Sequence, residues 1–538
     1  MTSSRAVPVF FAASILLAAF FYVCFFVNFA STLTDWSGFG FTWTHQMFHN
    51  FLHGREFQSS LFATLAAGHS VGFSANPHAF IHADVIHVNF TPYLFAWLWA
   101  PRPTPAGIYA LIFSWNLTAG AWWTFSILRR TPHPDVPRRA AFASAILAFG
   151  GLLSVLCQMA QMLLFAGPIL LAAYDSFLAR RRGWFLFWIA LLALVSEDAA
   201  MVAVCFGLHL LFVEDEGRPY GIGALALCVP YLALILFIVQ PAARAELTLT
   251  GATTTAVVAK KLFSLDAGAL AANLRSMAPL SPFIPAFVLS AAWFGVPDRR
   301  ALARAASLAL LPALPHWGEC LVVGGAHHLG PPWYGLFLAL LSCLRDGIRP
   351  DPRAARWAWA AAAAFFAVGA RVQAGHLPLH MKPALYRLAG RDDQAASLER
   401  SLAKEEASNR AVIEAVSRLP VESSLVFLGN NRVLGFIAGR PEIWEYPQYS
   451  DRARFLLIQK DAIDANFSPL SGERDRPVTA SQVEELRRAS VAGGLYRTAL
   501  ENEHILLLER TLEVPFESPA STIGWGWVRN IGRKPIRA

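Results

Sequence analysis

Long apolar runs alternate with short polar segments over residues 1–372. A helix needs about 20 apolar residues to cross a hydrocarbon core of ~30 Å, since each residue adds ~1.5 Å. By this criterion the pattern predicts about eleven membrane-spanning helices, several of them short: 8–30, 104–128, 140–157, 158–179, 184–196, 198–213, 221–240, 281–297, 302–316, 331–344 and 356–372. The short runs that meet near residue 197 and between 316 and 330 also fit bent or half-crossing helices. We therefore predict a polytopic α-helical membrane domain over residues 1–372.

Residues 373–538 have the mixed pattern of a soluble domain. Amphipathic and alternating positions predict helices at Glu399–Leu419 and Asn431–Ala438, strands at Ser424–Leu428 and Phe455–Gln459, and a hairpin of Leu495–Leu500 with His504–Glu509. About 165 residues are enough for one domain with its own core. We predict a small C-terminal α/β domain.

One apolar and aromatic run, Phe90–Ala100, is too short to span a bilayer and is bracketed by Pro92 and Pro101. Trp97 and Trp99 suit the boundary between lipid and water. This run predicts a helix lying at the membrane surface, near the end of a large loop formed by residues 31–103.

Charge orients the chain. Only 15% of the residues are charged, against about a quarter in soluble proteins, and the net charge is +8. The arginines cluster in alternate loops, which is typical of loops kept on the cytoplasmic side. This predicts a cytoplasmic N-terminus and places 31–103, 241–280 and 373–538 outside, in the periplasm if the membrane is a bacterial inner membrane. Nucleic-acid binding is not expected, since no basic stripe is interleaved with aromatic residues.

Three carboxylates are candidates for chemistry at the outer face. Asp35 follows the first apolar run, where a carboxylate can act as a base or a metal ligand towards a lipid-linked substrate, although it also fits a helix-terminal residue facing water. Glu197 and Asp198 interrupt the apolar stretch 184–213. Carboxylates inside a membrane are costly and usually face a cavity or a partner. The same pair also fits a solvated tight turn at the outer surface.

Histidines concentrate in the first outside loop. His45, His49 and His53 recur every four residues and so share one face of a helix. Such spacing can bind zinc, but no Cys or HExxH motif accompanies it, so phosphate binding or the lining of a polar cavity is the better interpretation. His327 and His328 lie in another outside turn that could close over the same cavity.

Lys260 and Lys261 lie in the outside loop 241–280. They could hold a diphosphate, although a solvated or lipid-facing surface explains them as well. The sequence has no P-loop, no GxSxG elbow and no Rossmann glycine motif in its proper context. ATP-driven transport and serine hydrolysis are therefore disfavoured.

Several segments, taken in order, resemble a family of predicted membrane proteins known as domain of unknown function 2079. That family is similar in layout to the C-type membrane glycosyltransferases. The matching segments are TDWSGFGFTWTHQMFHNFLHG with Asp35 and Gln46, the stretch His87–Leu94, the triplet Ser196-Glu197-Asp198, the turn His327–Pro331, and Ser424–Tyr446 with its GRPEI loop. Two positions depart from the family pattern: Trp36 replaces a Leu, and Ser196 replaces a Lys.

The resemblance implies a sugar transferase that uses a polyprenyl-phosphate donor outside the membrane. Asp35 would be the base for the acceptor hydroxyl or a ligand to a divalent cation such as Mg²⁺ or Mn²⁺. Glu197 or Asp198 would supply a second carboxylate, and Glu197 would be a further metal ligand. The residues expected to bind substrate are Gln46, His87, Lys260, Lys261, His327 and His328.

Two other functions stay open at this point. A transporter or lipid flippase would use Glu197, Asp198 and the histidines as a proton relay. A non-catalytic envelope assembly protein would use the domain at 373–538 to bind a partner. Asp35 separates these hypotheses, because only an enzyme should lose its activity on Asp35→Asn without loss of folding.

Overall fold

The apolar runs of the N-terminal part form helices. The computed structural model describes residues 39–54, 58–61, 81–82, 91–101, 105–130, 136, 139–140, 143, 165–239, 266–276, 299–311, 330–346, 381–446, 450, 453–460, 462 and 478–511. Up to residue 346 its elements are α1 (Phe39–Leu52), β1 (Gln58–Ser59), β2 (Ile81–His82), α2 (Thr91–Trp99), α3 (Pro105–Ser114), α4 (Gly120–Arg129), α5 (Ala166–Leu178), α6 (Arg182–Ala193), α7 (Glu197–Phe212), α8 (Arg218–Leu234), α9 (Ala267–Ser276), α10 (Arg299–Leu310) and α11 (Gly330–Asp346). A π-helical turn, Trp115–Ala119, joins α3 to α4, and another, Ile235–Val239, extends α8.

Most predicted spans in the described part of the chain coincide with helices. The runs 184–196, 198–213, 221–240 and 331–344 each fall on one helix, and 104–128 falls on α3, the π turn after it and α4. The runs 158–179 and 302–316 coincide with helices in part. With its π turn, α8 covers Arg218–Val239, and it is the one helix within the described ranges that is long and apolar enough to cross a membrane. The runs 8–30, 281–297 and 356–372, with nearly all of 140–157, lie outside the described residues. The helices are confirmed, and the number of crossings stays a prediction.

The helix predicted at Phe90–Ala100 is α2. Its residues Phe95, Ala96 and Trp99 are buried, whereas Leu94, Trp97 and Leu98 are more than half exposed. A large apolar face left open in this way is unfavourable in water and marks an interaction surface. It is the arrangement expected of a helix at a membrane surface.

Glycines let α7 and α8 pack closely. A Cβ atom added at Gly221 would lie 2.6 Å from the Gly207 carbonyl oxygen and 2.8 Å from the Leu211 nitrogen. Both neighbours are backbone atoms, which cannot move aside as a flexible side chain does. Small residues at helix contacts are typical of membrane helices, where close packing replaces the hydrophobic driving force.

A charged cluster links the ends of α5, α7, α10 and α11. Its members are Tyr174, His209, Glu214, Arg304, Arg345 and Asp346. The Arg304 guanidinium lies 3.0 Å from Glu214 and 3.2 Å from Asp346, and Arg345 holds Asp346 through two contacts of 2.7 and 3.1 Å. The cluster therefore joins helix ends that are far apart in sequence through alternating charges.

The C-terminal part is an α/β domain, as predicted. Its elements are α12 (Lys382–Leu388), α13 (Asp392–Ser417), β3 (Leu425–Leu428), α14 (Asn431–Ile437), β4 (Ile443–Glu445), β5 (Phe455–Gln459), α15 (Ala480–Ala492), β6 (Tyr496–Glu501) and β7 (Ile505–Arg510). The five strands form one sheet in the order β4-β3-β5-β7-β6. β3 pairs in parallel with β4 and β5, and β7 pairs antiparallel with β5 and β6. The proposed domain boundary at 372/373 lies outside the described residues.

Both faces of the central strands are covered. All residues of β3 and β5 are buried, as is typical of parallel strands covered on both faces. Within the domain α13 packs against β5 and β7, and α14 packs against both α13 and α1 of the N-terminal part. The C-terminal domain is thus attached to the helix that begins the first described segment.

Candidate functional site: the acidic helix start and the junction at Gln46

Glu197 and Asp198 occupy the first turn of α7. The preceding helix, α6, ends at Ala193, and the chain turns through Leu194–Ser196. The Ser196 side chain caps α7 by accepting a hydrogen bond from the Ala199 backbone N–H at 3.2 Å. The two acids therefore follow the turn rather than form it. The partial positive charge at a helix N-terminus stabilises a carboxylate there.

Ser196, where the resemblance leads us to expect a Lys, is the N-cap residue of α7. Serine is among the favoured N-cap residues, because its hydroxyl satisfies a backbone N–H that has no partner within the helix. The cap fixes where α7 begins and so sets the position of Glu197, whose side chain is 7% exposed. A carboxylate shielded in this way at a helix start can accept a proton or hold a cation.

Six of the predicted site residues lie outside the described residues: Asp35, His87, Lys260, Lys261, His327 and His328. Their roles stay predictions.

The metal prediction, for Mg²⁺ or Mn²⁺ at Asp35 and Glu197, also stays a prediction. Mg²⁺ takes an octahedral set of oxygen ligands, and carboxylates such as Glu197 are suitable donors. Across the ranges that the structure describes, however, no three His, Cys, Asp or Glu side chains converge as a metal group. Glu197 and its neighbour Asp198 do not make such a set by themselves.

Gln46 lies at a junction between α1 and the C-terminal domain. We use "the junction" for α1, Ser59–Leu61 and the loop Gly439–Ile443. The Gln46 side chain is fully buried, and its Oε1 accepts hydrogen bonds from Ser59 Oγ at 2.7 Å and the Leu61 N–H at 3.2 Å. Because a backbone N–H can only donate, this contact fixes which end of the amide is oxygen.

The other end of the Gln46 amide faces the C-terminal domain. Its Nε2 lies 3.0 Å from the Pro441 carbonyl oxygen, 3.3 Å from the Arg440 carbonyl oxygen and 2.9 Å from Ser60 Oγ. These contacts are structural. The prediction that Gln46 binds substrate stays a prediction, and its amide is already engaged by protein groups.

Ser60 covers the edge of the sheet. Its hydroxyl donates to the Ile443 carbonyl oxygen at 2.5 Å and accepts from the Ile443 N–H at 3.3 Å. Ile443 begins β4, which is an edge strand of the sheet. Backbone groups on an edge strand need partners, so this side chain satisfies groups that would otherwise face a neighbouring chain or water.

His45 forms a second contact across the junction. Its Nδ1 lies 2.8 Å from the Gly435 carbonyl oxygen of α14, and its ring meets Trp99 edge to face with centroids 5.5 Å apart. Since a carbonyl oxygen only accepts, Nδ1 carries the proton of this hydrogen bond. Burial lowers the pKa of His45 to about 4, against the opposing effect of the bond to Gly435. His45 is therefore neutral at physiological pH.

The other two histidines of the predicted face do not converge with His45 on a metal. The rings of His49 and His53 are stacked with centroids 4.1 Å apart, and His53 Nδ1 bonds the His49 carbonyl oxygen at 2.7 Å. The i,i+4 spacing thus produces stacking here, and the zinc interpretation gains no support.

Sequence reasoning missed Arg440 and Ser60 as junction residues. Arg440 is 2% exposed, and its NH2 group donates to the Pro420 carbonyl oxygen at 2.7 Å. Burial lowers the pKa of Arg440 to about 10, so the guanidinium stays charged at neutral pH. The GRPEI loop was matched as a family segment, but nothing local in it indicates that its carbonyl groups meet Gln46.

The described residues define a class: a mainly helical protein with a small C-terminal α/β domain. The chain belongs to the family described as "Predicted membrane protein (DUF2079)", which matches residues 36–315 and so more than half of the chain. The match begins one residue after Asp35 and includes Gln46, His87, Glu197 and Asp198. The segments at 327–331 and 424–446 lie beyond it.

Two solved structures are similar to this chain, and the first supports a shared fold. One is the crystal structure of ArnT from Cupriavidus metallidurans bound to undecaprenyl phosphate, with a TM-score of 0.51 and 12% identity over 94% of this chain and 98% of that chain. The apo ArnT structure gives a TM-score of 0.47 and 13% identity over the same shares. No curated protein sequence matches significantly. The expected similarity to the C-type membrane glycosyltransferases is confirmed at the level of the fold.

Proposed function

We propose that this protein is a membrane glycosyltransferase that moves a sugar from a polyprenyl-phosphate carrier to an acceptor at the outer face of a bacterial inner membrane. The likeness to ArnT carries the proposal, because it extends over nearly the whole of both chains and that structure holds undecaprenyl phosphate. A shared fold does not by itself specify a reaction. The candidate residues of this chain supply the chemistry.

In the proposed reaction the acceptor hydroxyl oxygen bonds to the anomeric carbon of the donor sugar. The bond from that carbon to the phosphate oxygen breaks, and its electron pair leaves with the polyprenyl phosphate. Asp35 takes the proton of the acceptor hydroxyl as general base. Positive charge develops on the sugar and negative charge on the leaving phosphate, so each needs an opposite charge nearby.

Glu197 is the proposed second carboxylate, and its shielded position at the start of α7 supports this role. Asp198 is adjacent in the same helical turn. The proposed phosphate-binding groups are His87, Lys260, Lys261, His327 and His328, which are cationic or able to donate hydrogen bonds. Asp35 and Glu197 remain the proposed ligands if a divalent cation takes part.

The test uses the full-length protein in lipid nanodiscs with a panel of radiolabelled undecaprenyl-phosphate sugars. The measurement is the release of undecaprenyl phosphate with and without added acceptors. We expect the wild-type protein to bind undecaprenyl phosphate and to cleave at least one donor. Asp35→Asn should lower kcat by about a hundredfold or more, since general base catalysis contributes about 10²–10⁴-fold. Glu197→Gln should also lower the rate.

Asp393→Asn is the matched control. Asp393 also lies in the first turn of a helix, α13, but its side chain is exposed. Its substitution should leave the rate unchanged. If the wild-type protein binds no undecaprenyl phosphate and cleaves no donor, the proposal is wrong. Transfer of a labelled lipid across vesicles that stops in Glu197→Gln would then indicate a flippase.

A further inference from the structure

The helix that carries Gln46 begins directly after the proposed catalytic base. Asp35 precedes Phe39, the first residue of α1, by four residues. An extended chain spans at most about 3.6 Å per residue, so the two Cα atoms lie within about 14 Å of each other. The position of α1 therefore limits where Asp35 can lie.

The C-terminal domain contacts α1 at two adjacent residues. Gln46 reaches the carbonyl groups of Arg440 and Pro441, and His45 reaches the carbonyl group of Gly435, across about 390 residues of sequence. A Cβ atom at Gly439 would lie 3.2 Å from the His45 ring, so the loop and the helix approach as closely as a glycine allows. These contacts attach α1 to the C-terminal domain beside the edge strand β4.

We propose that Gln46 is a positioning residue, through which the C-terminal domain fixes α1, the helix that follows the proposed base Asp35 in the sequence. The inference rests on the proposed function for its catalytic consequence, but the fixing of α1 is a property of the structure alone. The C-terminal domain is then part of the catalytic unit. A domain that only selected the acceptor would affect substrate affinity and leave the order of α1 unchanged.

The two ends of the Gln46 amide have different partners. Its oxygen accepts only from Ser59 and Leu61 on the segment that follows α1, whereas its nitrogen faces the carbonyl groups of Arg440 and Pro441 as well as Ser60 Oγ. Gln46→Glu keeps the shape and the accepting oxygen. It replaces the donor by a carboxylate oxygen that faces two carbonyl oxygens, so it removes both interdomain bonds and, with them, the amide's donation to Ser60 Oγ.

Gln459→Glu is the matched control. Gln459 is also a fully buried amide: its Oε1 accepts from the Asn430 N–H at 2.8 Å, and its Nε2 donates to Ser408 Oγ at 2.9 Å and Asn409 Oδ1 at 2.8 Å. All of these partners belong to the C-terminal domain. The same chemical change is thus made once at the junction and once within the domain.

The experiment compares both variants with the wild-type protein by hydrogen–deuterium exchange and by donor cleavage. In Gln46→Glu we expect the amide exchange of residues 39–52 to rise about ten- to hundredfold, the range set by losing buried hydrogen bonds. The kcat should fall at least about tenfold with an unchanged KM for the donor, because misplacing a catalytic group affects mainly the chemical step. Gln459→Glu should leave both the exchange of 39–52 and kcat near wild type.

Ser60→Ala is the milder variant if Gln46→Glu does not fold, and it should raise the exchange of residues 39–52 in the same direction. The proposal is overturned if neither junction variant loosens α1 more than Gln459→Glu does. If the wild-type protein has no transferase activity, the proposed function fails, yet the exchange comparison still decides whether the C-terminal domain fixes α1.

Discussion

The junction around Gln46 is buried and the charged cluster around Arg304 is largely buried, and both join segments that are distant in sequence. Across the junction, Gln46, Ser60 and His45 bind main-chain carbonyls through neutral amide, hydroxyl and imidazole groups. The charged cluster uses guanidinium and carboxylate groups that bind one another. The strength of a neutral hydrogen bond depends on its distance and direction, whereas the stability of a buried charged group depends on an opposite charge beside it. The two regions should therefore respond differently to mutation, pH and salt.

The largest expected loss of stability comes from a substitution in the charged cluster. Arg304→Met would leave Glu214 and Asp346 without the cation between them. Removing one member of a buried ion pair typically costs about 3–5 kcal/mol, and Arg304 is 23% exposed, so we expect about 3 kcal/mol. The check is the free energy of unfolding in mixed detergent micelles. A loss below about 1 kcal/mol would show that the cluster is no more than a solvated surface network.

The second-largest loss of stability should come from acidification, which destabilises the junction at His45. His45 has a pKa of about 4 in the folded protein and 6.5 as its ordinary value. Because the folded pKa is lowered, the unfolded state binds more protons, so the stabilisation is present above pH 6.5 and is lost as the pH falls towards 4. Between pH 7.5 and 5 the loss should be about 2 kcal/mol.

The control for this pH dependence is His45→Gln, which has no titrating group at this position. Thermal unfolding of both proteins over the same pH range isolates the contribution of His45 from those of the other histidines. Parallel pH profiles for the two proteins would contradict the neutral, buried assignment of His45.

Much of the C-terminal domain was predictable because its signals are local. The predicted strand Phe455–Gln459 has the observed bounds, and the hairpin strands differ by one residue at each end. The helix α15 was missed although Thr479 and Gln482 form a capping box, which is a visible sequence signal. β4 was missed because three residues on a sheet edge carry too little pattern to be distinguished from a loop.

The junction was not predictable in the same way. Gln46 was selected through the family resemblance, yet its partners Arg440 and Pro441 lie 394 and 395 residues away. They contribute carbonyl groups, which every residue has, so side-chain identity gives no signal. The turn at Glu197 was located to within a few residues, but only the cap at Ser196 shows that the acids begin the second helix.

A double substitution sharpens the contrast between the two regions. Arg304→Met with Glu214→Gln removes a charge of each sign, so the double variant should lose less stability than the sum of the single variants. We expect a coupling of about 1–2 kcal/mol, within the range for residues that touch in one network. At the junction, by comparison, Gln46 and Ser60 share one neutral hydrogen bond of 2.9 Å, so Gln46→Glu and Ser60→Ala should show a smaller coupling, of about 1 kcal/mol or less. Unfolding of all variants in the same micelles gives both couplings.

The smallest effect should come from an ion pair that resembles the cluster in chemistry but not in burial. Arg180 and Glu216 are 2.7 Å apart, and their side chains are 75% and 65% exposed. Exposed pairs contribute about 0–1 kcal/mol, because water and salt screen them. Arg180→Met should therefore change stability by less than about 1 kcal/mol, and raising the salt concentration should remove the difference from wild type. If Arg180→Met cost as much as Arg304→Met, burial would not be what distinguishes the charged cluster, and the contrast with the junction would lose its physical basis.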